Sequence, residues 1–473
     1  MTCSLGGLCA LSAELLLTGA ALVLLMWDAV RPAARRGPLA FSVLALAAAA
    51  WVAARTPDTV AYGVFVVDGT ARFLKIVLLG AVVLVTALSA SFKGFADREE
   101  RFAWGTYLGL LLISTVGLLF LASASDFLMA LIALEIVSVS SFVLVGFTRK
   151  DRRSSEAAIK YFLMGAFASG LMVYGISLFY GLTGGTSAAA LNADTAGRVA
   201  ALPLTAALLF VLVGFGFKLA LAPFHMWVPD VYEGAPTPVT AFLSVAPKAA
   251  AFGLLMRLFS HAADLRILPL MALLAAITMT VGNLGALRQD NVKRLLGYSS
   301  IAQMGYVAIA FVAASALGSR AILLYLAAYV LMNLGAFAVV IAVADDAGRE
   351  DVGSFDGLAA RSLPLALTTT FFLLSLTGLP PFLGFIGKFS IFAAAVQAKG
   401  LMWLAVVGVV NSVVSFAYYF SIVRAMFFRE PQQAGAPFLS RPLTAVLGVT
   451  LAATVLLGLY PAPLLAWVQR IVP

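Results

Sequence analysis

Four ionisable side chains stand in stretches too apolar to solvate them. They are Glu135 in ALEIVSVSSF, Lys218 in GFGFKLALAPFH, Lys248 in SVAPKAAAF and Lys388 in LPPFLGFIGKF. A charge at bilayer depth costs about 2.5–3.5 kcal/mol on insertion scales, so it marks a functional hypothesis wherever it faces a bundle interior. The chemistry such groups suit is proton loading. A lysine kept from water, and given or denied a carboxylate neighbour, can be poised to take and release a proton near neutral pH. Glu135, an acid in mid-span, suits the part of counter-ion. Lys248 is a central relay candidate. Lys160, about a turn into its span, and His225, which titrates near neutrality, are candidate relays. The bland alternatives are permanent ion pairs, a protonated acid and snorkelling lysines, and the residues leave them open. Asp230 and Glu233 follow His225 closely, yet a single histidine at this spacing matches no standard metal pattern. Capping and loop ordering is the better reading, and no metal site is expected. Glu14, Lys75 and Arg257 fall near span ends, where snorkelling or an interfacial position is expected.

These residues need elements to position them. The 473 residues are 62% hydrophobic and 11% charged, and the mean hydropathy is +1.02. Such a composition belongs in a bilayer, where only helices and closed barrels satisfy their own backbone. At roughly 20 apolar residues per crossing, about fourteen spans fit. They lie near 11–30, 39–55, 73–92, 104–122, 126–147, 158–182, 203–222, 238–259, 267–287, 298–316, 320–343, 364–395, 403–427 and 443–465. Loop arginines and lysines fall roughly 18 to one face and 7 to the other, a positive-inside bias that puts both termini outside the cytoplasm. The net charge of +9 is therefore a topology signal, not a nucleic-acid footprint. No basic n-region precedes the first apolar run, so no cleaved signal is expected. Cys3 and Cys9 offer no cluster or zinc pattern. No nucleotide-binding glycine motif occurs. The chain is expected to hold no cofactor.

No linker separates soluble domains, so residues 1–473 read as one membrane domain. Within it fall a three-helix segment (1–103), a first repeat (104–259), a second (267–427) and a final helix (443–465). Proline interrupts two spans: the seventh at Pro223 and the twelfth at Pro380 and Pro381. Broken helices five spans apart point to an inverted repeat, spans 4–8 and 9–13. Laid Ala222 on Pro380, the repeats place Lys218 before its break and Lys388 after, so the two lysines are not simple equivalents. In the seventh span the proline frees the carbonyl of Leu219 beside Lys218, making a lysine and a break intelligible together. The fold class is thus all-α and polytopic, with two inverted five-helix repeats and broken helices 7 and 12.

At PFHMWVPDVYEGAPTPVTAFLSVAPKAA (Pro223 to Ala250) the chain resembles the antiporter-like membrane subunits of respiratory complex I. The wording of this block is most similar to the subunit N branch. NVKRLLGYSSIAQMGY (291–306) and LTGLPPFLGFIGKF (376–389) resemble two further motifs of the family. The resemblance covers essentially the whole chain. It implies a proton-translocating channel in which Glu135 pairs with Lys218, Lys248 lies on a central hydrophilic axis and Lys388 leads outward. It further implies that NADH, FMN, iron–sulfur clusters and the quinone are handled by other subunits. Subunit M and the small K- and J-type subunits would be neighbours in a bacterial cytoplasmic (inner) membrane. The proposed cycle alternates a tight Glu135–Lys218 pair with a separated one. The rivals are a free-standing cation/proton antiporter subunit, a subunit of a ferredoxin- or hydrogenase-linked complex, and a non-transporting scaffold.

Overall fold

A computed structural model describes residues 7–31, 34–96, 102–191, 201–259 and 267–472. Cys3, Arg98, Arg101, Arg198, His261 and Arg266 lie outside them. The described residues form nineteen α-helices, three short 3-10 helices and one short ribbon. In order they are α1 (Ser12–Val30), α2 (Arg36–Arg55), the antiparallel β1 (Thr59–Ala61) and β2 (Phe65–Val67), α3 (Gly69–Ser91) and α4 (Lys93–Ala96). Then come α5 (Trp104–Ser123), α6 (Phe127–Val145), α7 (Arg152–Thr183), α8 (Ala201–Leu219), α9 (Trp227–Gly234) and α10 (Thr237–Leu258). The chain continues through α11 (Ile267–Ala286), α12 (Val292–Val312), α13 (Ala316–Ala347), α14 (Leu358–Arg361), α15 (Leu363–Thr377) and α16 (Leu383–Gln397). It ends with α17 (Met402–Phe428), α18 (Arg441–Leu459) and α19 (Ala462–Ile471).

Among the described residues, thirteen helices are long and apolar enough to cross a bilayer. The expected twelfth span is two shorter pieces, α15 and α16, so counting them as one crossing gives fourteen. Two helices run well past the apolar stretches read from sequence. α7 and α13 each have 32 residues and carry Arg152, Arg153, Asp345 and Asp346 on their ends. A hydropathy ruler stops where the charges start; the backbone hydrogen bonding does not.

The chain divides into two compact units. The first comprises residues 1–83, 103–227 and 246–271, and the second comprises 84–102, 228–245 and 272–473. In the first, α7 packs along α8, α5 along α6, and α1 along α2 and α5. Small residues permit the close approach: a Cβ on Gly175 would meet the Ala207 carbonyl at 2.7 Å. In the second, α13 packs against α12, α15, α16 and α18, and nearly all its apolar side chains are buried.

Two side chains of the first unit differ from expectation. Glu14 and Lys75 are 1% and 2% exposed, with Nζ 2.6 Å from Oε1. They are not snorkelling: pairing inside the protein replaces the water each would otherwise seek. Arg257 does sit at a helix end, where it forks onto Asp68 at 2.9 and 3.0 Å. Asp68 also accepts from the Ala71 amide at the start of α3. Burial works to raise the Asp68 carboxyl, but the Arg257 hydrogen bonds and charge outweigh it and hold the group below its ordinary value. A depressed carboxyl contributes stability at and above the ordinary carboxylate range and loses it as pH falls through the folded value, below about pH 4. Asp68→Asn should therefore flatten that acid limb in thermal unfolding of the detergent-solubilised protein. An unchanged limb would show that the fork contributes nothing.

Candidate functional site

Lys218 ends α8. Beyond Leu219 the chain turns through Ala220, at φ 58°. The Ala220 amide bonds the Phe217 carbonyl at 3.1 Å and the Leu221 amide bonds Gly216 at 2.8 Å. This is a Schellman closure with a left-handed residue just past the helix. Pro223 lies in the turn that follows, and α9 begins at Trp227. The second unit repeats the device. α15 stops at Thr377, Gly378 takes φ 90°, and the Gly378 and Leu379 amides both reach the Leu374 carbonyl at 3.1 Å. Pro380 and Pro381 follow before α16. Glycine at Gly378 serves twice: besides the positive φ, a Cβ there would meet Lys388 Cδ at 2.7 Å.

Around Lys218, which is 2% exposed, two helices supply partners. Its Nζ donates to Ser138 Oγ of α6 at 2.9 Å and, more weakly, to the Tyr161 hydroxyl of α7 at 3.3 Å. The Ser138 hydroxyl donates a hydrogen bond to the Leu134 carbonyl at 2.6 Å, leaving its lone pairs for the ammonium. Glu135 sits one turn before Ser138 and accepts from Ser169 Oγ. Among the described residues no ion pair joins Lys218 to Glu135. Tyr161 stacks on Phe217 and on Trp227, with ring centroids 5.7 and 4.5 Å away; those two rings lie 5.3 Å apart, so the three form one cluster, and the Trp227 indole donates to the Phe217 carbonyl at 2.9 Å.

Lys388, also 2% exposed, starts from the half-helix after its break and reaches back. Its Nζ donates to the Thr377 carbonyl at 2.9 Å and to Ser412 Oγ at 3.0 Å. It also stands 4.2 Å over the Tyr306 ring, within cation–π range. Tyr306 is fixed from behind by Asn283 at 3.1 Å, and Asn283 in turn by Tyr418 at 3.1 Å. Thr377 is the last residue of α15, so the ammonium meets the negative end of a helix dipole. Lys218 occupies the last turn of α8, but its ammonium is held by hydroxyls of α6 and α7. The two lysines occupy non-equivalent positions in sequence, yet each ammonium has a serine hydroxyl and a tyrosine among its partners.

The other candidates fall elsewhere. Lys248 is fully buried on α10 just after Pro247. His225 is half-buried in the turn before α9. Lys160 is 43% exposed and pairs with Glu156 at 2.7 Å; its neighbour Tyr161 is the residue that turns inward. Asp230 and Glu233 lie on a helix, not in the loop expected, because Trp227, Val228 and Val231 give this segment a buried face. Both acids hold Arg294, at 2.6 and 3.1 Å. Among the described residues no group of three metal-ligating side chains comes together. Tyr161, Ser169, Ser412 and the Thr377 carbonyl were not singled out from sequence.

Buried lysines at the carbonyl ends of interrupted membrane helices define a polytopic, antiporter-like membrane subunit. Residues 124–415 match the family model described as NADH:quinone oxidoreductase/Mrp antiporter, TM. The NADH-quinone oxidoreductase subunit N of Anaeromyxobacter sp. (strain Fw109-5) is 40% identical over 96% of this chain and 95% of its own. A chain of respiratory complex I from Thermus thermophilus superposes with a TM-score of 0.81 at 34% identity, covering 96% of this chain and 98% of that one. A chain of the Mrp complex from Dietzia sp. DQ12-45-1b gives 0.86 at 22% identity, over 98% of this chain and 96% of that one, and shares the fold. The chain belongs to the NADH:quinone oxidoreductase/Mrp antiporter family, in its NADH-quinone oxidoreductase subunit N branch.

Proposed function

We propose that this chain is a proton-translocating membrane-arm subunit of an NADH:quinone oxidoreductase. Electron transfer from NADH to quinone on other subunits would drive its protons. The observation that carries this reading is the pair of buried lysines at interrupted helices, each held by hydroxyl or carbonyl oxygens and by no carboxylate among the partners seen. Such a site supplies partial negative charge without a fixed counter-ion. The ammonium can therefore be held, then released, when a neighbour moves. In the first unit that neighbour is Glu135. Lys218 rests on Ser138, one turn away, and a short swing would bring it to the carboxylate. Closing the pair favours proton uptake; opening it favours release. Lys248 and Lys388 would each take a turn in the same proton traffic, with His225 and Lys160 as lesser candidates. NADH, FMN, iron–sulfur clusters and quinone belong to other subunits. The membrane would be the bacterial cytoplasmic membrane, with both termini on its outer side. Partners would be a second antiporter-like subunit of the M type and the small K- and J-type subunits.

The test is to purify the chain from its native membrane in mild detergent, reconstitute what comes with it into liposomes, and add NADH and a quinone. Acidification of the lumen with NADH oxidation is expected. Sodium-dependent proton exchange without NADH would transfer the chain to the antiporter reading, which the shared Mrp fold keeps in view.

A further inference from the structure

The ion pair of Glu14 and Lys75 has no part in the site described above. Its surroundings make it more than a fastener. It joins α1 to α3 inside the first unit, and both side chains are almost wholly buried. A buried pair that serves only stability needs further hydrogen bonds to repay its lost hydration. Here neither Glu14 oxygen receives an aligned hydrogen bond, and both atoms are buried. The Lys75 ammonium, 2.6 Å from Oε1, is the one group the carboxylate is paired with among the described residues. A carboxylate so poorly supplied with donors is an uncomfortable resting anion, and one proton neutralises it.

The pair also stands at a telling depth. Within the first unit α3 and the later part of α10 run side by side in opposite directions. Asp68 and Arg257 fork together at one end, and further in a Cβ on Gly253 would press on Leu74 at 2.2 Å. From that shared end Lys75 is seven residues in along α3, about 10 Å, and Lys248 is nine residues in along α10, about 13 Å. The two lysines therefore lie at nearly the same level on packed helices. Between them and the helix ends the charged residues on these two elements are Asp68 and Arg72 on the α3 side and Arg257 on α10. Over residues 104–123 α5, which packs on α1, carries no charged side chain.

We propose that Glu14 and Lys75 form a second protonatable pair, a branch of the proton route that serves Lys248 through the N-terminal helices. The inference rests on the proton-translocation reading. A proton given up by the Lys248 ammonium, which becomes a neutral amine, neutralises the Glu14 carboxylate. The Lys75 ammonium then stands unpaired beside a carboxylic acid, and loss of the acid's proton toward the Asp68 end restores the ion pair.

The test uses the intact complex in liposomes. During NADH turnover its infrared difference spectrum should contain a protonated-carboxyl band that Glu14→Gln lacks. Pumping per NADH oxidised should fall roughly twofold in Glu14→Gln, as one of two outlets is lost. Since a lone Glu14 substitution leaves Lys75 buried and unpaired, the double variant Glu14→Met, Lys75→Met is the companion. An apolar pair of similar length keeps the packing, and the same twofold fall is expected. A band that persists in Glu14→Gln, or wild-type pumping in the assembled double variant, overturns the branch and leaves a structural tie. Lys218→Met separates the two failures. If it stops pumping while the α1–α3 variants do not, only the branch falls; if it too is without effect, the translocation reading falls with it.

Discussion

Lys218→Met should leave the complex assembled and lower NADH-driven proton pumping by at least about tenfold, a conservative figure against the 10²- to 10⁴-fold typical of losing a positioned proton-transfer group. Methionine fills nearly the same length and keeps the packing against Tyr161. It cannot bond Ser138 or carry a proton. The decisive companion is Lys218→Arg. A guanidinium preserves the charge but holds its proton at every working pH. If Lys218 loads and releases protons, Arg fails as Met does. If Lys218 merely anchors α8 to α6, Arg restores pumping. Proton flux in liposomes, compared with NADH oxidation in uncoupled membranes, distinguishes these outcomes.

The second large effect is expected at Lys388. Here no acidic side chain is among the partners seen; the ammonium rests on a helix-end carbonyl, a serine hydroxyl and a tyrosine face. Lys388→Met should again cost at least about tenfold in pumping. Tyr306 divides the causes. Tyr306→Phe keeps the ring and loses only the hydrogen bond from Asn283, so pumping should stay within about threefold of wild type. Tyr306→Leu removes the ring and about 2 kcal/mol of ammonium stabilisation in a desolvated setting, enough to slow a step that depends on it by more than about tenfold. Equal pumping in the Phe and Leu variants would mean that the aromatic face does not support Lys388.

Helix count was legible because backbone in a bilayer has few ways to satisfy itself, and length then tells spans apart from loops. The two interruptions were legible from Pro223, Pro380 and Pro381. The register that lays Ala222 on Pro380 also pairs Ala220 with Gly378, the two left-handed residues that close the leading half-helices. Burial of Lys218, Lys248 and Lys388 was legible as charge left over once the loops had taken theirs. Direction was not. Lys160 and Tyr161 stand side by side on α7, and adjacent helix positions point to different faces, so charge alone does not tell which of them turns inward. That is why Lys160 was weighed and Tyr161, beside it, was not. Ser138 carried a faint signal, standing one turn from Glu135 on a common face. Glu14 and Lys75 were misjudged because nearness to a span end in sequence says nothing about whether a neighbouring helix covers that end. Contacts made through a carbonyl, such as Thr377 with Lys388, have no side-chain signature to read.

Trp227 stacks on the ring whose hydroxyl Lys218 touches, and its indole is tied to the helix that carries that lysine. It is one of six tryptophans in the chain. Indole emission responds to the electric field along its plane, so any change in charge a few ångströms away alters its colour and brightness. The chain thus contains a native optical probe at the first lysine. With the other five tryptophans replaced by phenylalanine, light from Trp227 could follow the charge there in real time, without any added label.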